Sequence, residues 1–226
     1  MLKNILITSL RNFIRNRIFS LINLIGLSVS MSLGMLIIMI IKDQMAFDDF
    51  HKDSERIYRV NTHLLHPEWG NIDFASAPLP IGQALRDDYS FSENTVRINR
   101  ELNGDATYLN VNVPLKGIFV DPSFLEMFNF PFLKGDPATA LVAPNSLVLT
   151  KRTAEKVFGT TEPIGQIISL KGRGDFTITG VLQEFKNKTH FEFEMLCSMS
   201  TLPVLERNGA VSATLDNWSA YYNNYV

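Results

Sequence analysis

The 226-residue chain is 46% hydrophobic and 19% charged, which excludes a disordered polymer and suits one or two folded domains. Its net charge of −2 is unevenly placed: residues 1–42 hold five basic side chains and no acidic one, leaving 16 basic against 23 acidic, a net of −7, for 43–226. An acidic body excludes nucleic acid as a partner, because that binding needs a clustered basic face.

The first seventeen residues predict a short amphipathic helix on the cytoplasmic face of a bilayer. Leu2, Ile5, Leu6, Ser9, Leu10, Phe13 and Ile14 form one stripe, and Lys3, Asn4, Thr8, Arg11, Asn12 and Arg15 lie opposite. Residues 18–42 then predict a transmembrane helix. Phe19 to Ile41 is 23 residues without a charge, and about 20 apolar residues cross the hydrocarbon core. A cleaved signal peptide would have a shorter apolar run and a small-x-small site. This run instead exits into KDQMAFDD, so it is an uncleaved anchor.

Arg11, Arg15 and Arg17 precede the span, whereas Asp43, Asp48, Asp49 and Asp53 follow it. The positive-inside rule therefore sets the topology, with the N-terminus cytoplasmic and residues 43–226 across the membrane. Gly26, Ser30 and Gly34 recur every four residues and share one helix face, where small side chains let another transmembrane helix approach closely.

Beyond the membrane the pattern mixes strand and helix signals, the mark of an α+β domain. Arg56–Thr62 and Thr95–Arg100 are expected as strands, with a short helix over Pro80–Asp88. Thr107–Val113 alternates loosely, Pro114 is expected as a breaker, and Lys116–Val120 as a further strand. Asp121-Pro122 has the form of an N-cap and first helical position, opening a turn through Phe128. Ser146–Leu149 predicts a strand running into Thr150, the N-cap of a helix over Lys151–Phe158 that Gly159 closes. After the turn Glu162–Gly165, strands at Gln166–Leu170 and Phe176–Leu182 are joined by Lys171–Gly174.

Chemistry is sparse. Asp48, Asp49, His51 and Asp53 crowd the exit from the membrane but lack metal-ligand spacing and are expected as a polar elbow. Gly172-Arg173-Gly174 is no phosphate loop, and no G-x-S-x-G elbow occurs. His63, His66 and His190 suit surface or loop positions. Asn187 and Asn217 begin glycosylation sequons, short patterns that arise readily by chance. The lone Cys197 allows no intrachain disulfide and no cysteine zinc site, and suits a buried apolar role. Phe124, Phe128, Phe130 and Phe132 suit a core. No catalytic, cofactor or metal site is expected.

Five linked phrases carry a family resemblance. LKNILITSLRNFIRNRIFSLINLIGLSVSMSLGMLI resembles the N-terminal helix and first span of MacB/FtsX-like permeases of ABC transporters, especially the Bacteroidetes type. FDDFHKDSERIYRV is similar to the beginning of their periplasmic core domain. FVDPSFLEMFNFPFLKGDPATAL, SLVLTKRTAEKVFGTTEPIGQII and FTITGVLQEF follow in that domain's order. The resemblance implies a non-enzymatic permease subunit in the bacterial inner membrane, paired with a cytoplasmic ATPase and with a second permease copy or homologue. A periplasmic or outer-membrane partner is also implied. ATP-driven motion would be transmitted to the periplasmic domain for efflux, lipoprotein extraction or cell-envelope regulation. Such permeases carry at least three further spans. NWSAYYNNYV resembles a strand inside the core domain, so the expectation is a domain incomplete at its C-terminus, from a fragment or a truncated reading frame. The competing reading is a single-span anchored periplasmic binding or sensor module.

Overall fold

The computed structural model describes residue 7 and residues 11–67, 70–109, 111–185, 188–212 and 214–226. Two compact units emerge, residues 1–49 and 50–226.

The first unit is built on α1, Arg17–Met45, a 29-residue helix about 43 Å long at 1.5 Å per residue. No residue of it is buried, and its mean hydropathy over an 18-residue window is 2.5. Its serines keep their hydroxyls from needing water. Ser28 donates to the Leu24 carbonyl at 2.7 Å, Ser30 to Gly26 at 2.8 Å and Ser32 to Ser28 at 2.8 Å. Residues 11–15 are helical and a turn at Asn16 separates them from α1. The rest of the expected amphipathic stripe, residues 2–6 and 8–10, lies outside the described residues.

The second unit begins with a 3-10 turn at Ser54–Arg56 and the hairpin β1 (Thr62–His66) and β2 (Gly70–Phe74). Then come β3 (Ala77–Pro78), α2 (Pro80–Asp88), β4 (Val96–Asn99), β5 (Gly104–Tyr108), β6 (Val111–Leu115) and β7 (Gly117–Val120). Next are α3 (Phe124–Met127), β8 (Phe132–Gly135), β9 (Ser146–Thr150), α4 (Lys151–Phe158), β10 (Ile167–Leu170) and β11 (Gly174–Leu182). The series ends with β12 (Met195–Ser198), α5 (Leu202–Arg207) and β13 (Tyr221–Tyr225).

Among the described residues eleven strands form one sheet in the order β3-β13-β4-β7-β12-β9-β11-β10-β5-β6, with β8 on the far half of β11. Only β7 with β12 and β9 with β11 run parallel. Both faces are buried. Phe119, Leu147, Leu149, Met195, Cys197 and Ile178 pack with α4 and α5 on one face. Ile118, Val120, Val148 and Leu196 pack with α3 and a cluster of phenylalanines on the other. That period-two split explains why the central strands are apolar throughout. As expected, Phe124, Phe128 and Phe130 are core, joined by Phe191 at ring distances of 4.6–6.2 Å, and Phe132 packs against that cluster partly buried.

Several expectations hold locally. α2 spans the residues assigned to it. The Thr150 hydroxyl accepts from the Thr153 amide, and Gly159 at φ +60° closes α4 by donating to the Glu155 carbonyl. Others change. Residues 56–61 form no ladder strand. Tyr58 and Val226 instead exchange a reciprocal pair of backbone bonds at 2.9 Å and the Val60 amide donates to the Asn224 carbonyl at 2.9 Å, around an isolated bridge from Arg59 to Tyr225. Thr107–Val113 is not one strand but the turn of a hairpin, with Leu109 at φ +52° between β5 and β6. Pro114 does not break the chain. It sits in β6 opposite Asp105 on the outermost strand, where a missing N–H costs no ladder bond. The opposite edge, β3, also carries a proline, Pro78, so both edges discourage further pairing.

The largest correction concerns Asp121. Its carboxylate caps no helix. Arg97 grips it with Nε at 2.9 Å and Nη2 at 2.8 Å, and donates its own amide at 2.9 Å. Asp121 is 3% exposed. Burial works against the Arg97 charge, and the hydrogen bonds and charge of Asp121 outweigh it, holding the guanidinium above its ordinary range. The pair ties β4 to the end of β7. Gly82 of α2 makes room for it, since a Cβ there would fall 2.5 Å from the Arg97 Cγ.

Two outcomes follow. Asp121→Ala, by orphaning a buried guanidinium, is expected to lower unfolding free energy by about 3–5 kcal/mol in urea titration; a loss below about 1 kcal/mol would contradict the clamp. Cys197 is buried, and burial pushes its thiol up to about 12 against the weaker pull of bonds to Thr201 and Ser198. It is therefore expected to resist thiol reagents at pH 8 until urea unfolds the domain. Rapid labelling of the folded chain would show the site open.

Candidate functional site

Three places can carry function, and the amino-acid sequence pointed to one of them. On α1, Gly26, Ser30 and Gly34 fall on one face by their spacing of four. Ser30 donates back to the Gly26 carbonyl, which leaves that face small and internally satisfied. A Cβ at Gly26 or Gly34 would meet no atom within 4 Å. The flanking Arg11, Arg15 and Arg17 are exposed, and Arg17 Nε donates to the Ile14 carbonyl at 3.3 Å.

His51 is buried with its ring 5.1 Å from that of Phe128 and 5.5 Å from that of Phe130. Among the described residues no group of three or more His, Cys, Asp or Glu could hold a metal ion. His63 pairs with Asp73 across the β1–β2 hairpin. Arg173 lies between Gly172 and Gly174 in the β10–β11 turn. It donates to the carbonyls of Asn103 at 2.7 Å and of Glu101, tying the β10–β11 turn to the segment between β4 and β5.

The second place is a cleft of about 550 Å3 lined by Asp53, Arg56, Tyr58, Phe91, Glu93 and Glu126, among others. Arg56 and Glu93 are bridged across it at 3.1 Å.

The third is a crevice of about 530 Å3 at the carboxyl ends of β7 and β12. The chain leaves β7 through Asp121 and Pro122 into α3 on one face, and leaves β12 through Met199 and Ser200 into α5 on the other. A gap opens where these neighbouring parallel strands send their connections to opposite faces. α2 supplies one wall with Pro80, Gln83 and Ala84. Pro203, Leu215, Asp216 and Trp218 supply the other. Glu206 fixes that second wall by accepting from the Thr214 amide at 2.7 Å, its hydroxyl at 2.9 Å and the Leu215 amide at 3.2 Å. Trp218 is 57% exposed. Sequence reasoning missed Arg97 and Trp218 here. The only local signal was a charged residue between Val96 and Ile98, and its partner lies 24 positions away.

With this geometry in place, comparisons with known proteins fall into line. The model for the MacB-like periplasmic core domain matches residues 20–220. A permease-protein domain from Porphyromonas gingivalis superposes with a TM-score of 0.65 at 20% identity, over 78% of this chain and 74% of that one. The extracellular domain of the noncanonic ABC-type transporter YknZ from Gram-positive bacteria gives 0.51 at 16%, over 75% and 82%. The periplasmic region of MacB from Actinobacillus actinomycetemcomitans gives 0.48 at 11%, over 66% and 64%. No curated protein sequence matches significantly.

The small face of α1 yields a test. Gly26→Ile with Gly34→Ile should leave helicity unchanged, because nothing stands near either Cβ. Association between labelled chains in bilayers, measured by fluorescence energy transfer, should weaken by at least about fivefold. Undiminished transfer would remove the face from the assembly.

Proposed function

The chain belongs to the MacB-like periplasmic core domain family, and on that premise we propose that it serves as the membrane-anchored, periplasmic part of an ABC transporter permease. It is a transport component and performs no chemistry of its own. A separate cytoplasmic ATPase hydrolyses ATP, and the resulting helix motion reaches residues 50–226 through α1. A second permease copy packs on the Gly26, Ser30 and Gly34 face. The N-terminus is cytoplasmic, α1 crosses the bacterial inner membrane, and the sheet domain lies in the periplasm. The output is efflux, lipoprotein extraction or control of the cell envelope.

One observation carries this reading. The family match begins at Ser20, inside α1, and runs to position 220, so span and domain are matched as a single unit. The physical features agree. The basic flank before α1 suits the cytoplasmic side.

Co-purification and distance measurement test it together. From mild detergent extracts of the native membrane, an ABC ATPase subunit should accompany the chain. With spin labels at Glu93→Cys and Lys171→Cys, Mg-ATP and vanadate should shift the inter-label distance distribution. Loss of the ATPase at every detergent, with an unchanged distribution, would refute the coupling.

A further inference from the structure

The chain breaks its helix just before α1 and loads the break with positive charge. Residues 11–15 are helical, Asn16 at ψ 56° interrupts them, and Arg17 restarts the helix. The break frees carbonyls that side chains then take up. The Ser20 hydroxyl donates to Phe13 at 3.1 Å, and Arg17 Nε donates to Ile14 at 3.3 Å. Asn16 Nδ2 also donates to Asn12 Oδ1 at 3.1 Å, so the elbow is held by its own residues. Ahead of it Ile7, Arg11, Ile14 and Arg15, at spacings of four, seven and eight, line one hollow of about 400 Å3. Ile7 and Ile14 are 49% and 56% exposed, and Arg11, Arg15 and Arg17 are exposed too. Residues 1–42 contain no acidic side chain. The next carboxylate along the chain, Asp43, comes 26 positions after Arg17. That is about 39 Å of helix, several Debye lengths at physiological salt.

Two arginines one helical turn apart can close on a single anion, and their planar forks match a phosphate. The isoleucines in the same hollow call for hydrocarbon, so the anion that fits is one carried on an apolar tail. We propose that this elbow binds an anionic phospholipid, with the phosphate between Arg11 and Arg15 and the acyl chains against Ile7 and Ile14. Arg17, at the start of α1, adds charge to the same end of the span. A zwitterionic headgroup brings its own ammonium, which the arginines repel, whereas phosphatidylglycerol brings none. Each arginine near such a surface is worth about fivefold in affinity. The inference rests on α1 spanning a bilayer, and on nothing proposed about an ATPase or a second permease copy.

Native mass spectrometry of the full chain, delipidated in a non-ionic detergent, counts bound lipids as dioleoylphosphatidylglycerol or dioleoylphosphatidylcholine is titrated in. Phosphatidylglycerol should bind at least about tenfold more tightly. Arg11→Gln with Arg15→Gln should cut that preference to within about twofold, leaving phosphatidylcholine binding and helicity unchanged. Lys42→Gln, at the other end of α1, should leave the preference intact. Glycerol 3-phosphate at millimolar concentration should not displace the lipid. Equal affinity for the two lipids, a preference that survives loss of the arginine pair, or displacement by glycerol 3-phosphate would each overturn the site. Carbonate washing of native membranes tests the span separately. A chain that stays in the membrane but shows no lipid preference overturns the elbow site alone, whereas a chain released by carbonate overturns the span with it.

Discussion

α1 buries none of its residues within the chain, and this constraint governs what the molecule can be. Ile, Leu, Met and Phe side chains along it remain half to three-quarters exposed. Water would oppose such a surface by about 1.5–3 kcal/mol for each large side chain. Lipid removes that cost, and the three back-bonded serines show a helix already adapted to a solvent that offers no hydrogen bonds. Gly26, Ser30 and Gly34 leave one side of that helix small, with nothing within 4 Å of a Cβ built at either glycine.

The second unit solves a different problem. Its sheet is covered on both faces, so a charge buried against it has to be paired. Arg97 and Asp121 meet that requirement, and their placement has consequences. The pair joins β4 to β7, requires glycine at position 82, and floors the crevice beyond β12. Asn224 reinforces the same corner by donating to the carbonyls of Ala77 and Pro78 at 2.9 and 3.2 Å.

Much of this was legible where the signal is local. Thr150 and Gly159 bracket α4 because a hydroxyl cap and a positive-φ glycine act within a few residues of themselves. The unbroken apolar run and its arginine flank announced α1 by composition alone. The β5–β6 hairpin was hidden because its turn uses Leu109 in a left-handed conformation in place of the usual glycine. Asp121 was misjudged as a cap because a strand-end Asp before Pro satisfies that pattern locally. Arg97 is a stronger partner, and nothing local points to it. The crevice was illegible for the same reason: α2, two strand ends and the segment after α5 converge there from positions more than a hundred residues apart.

In the proposed topology residues 50–226 lie across the membrane from Arg11, Arg15 and Arg17. Because Cys197 is buried, a single exposed cysteine at Lys171→Cys in the β10–β11 turn gives a clean readout in spheroplasts. A membrane-impermeant maleimide is expected to label it fully without permeabilisation. Labelling only after the membrane is opened would place the domain in the cytoplasm and contradict the account.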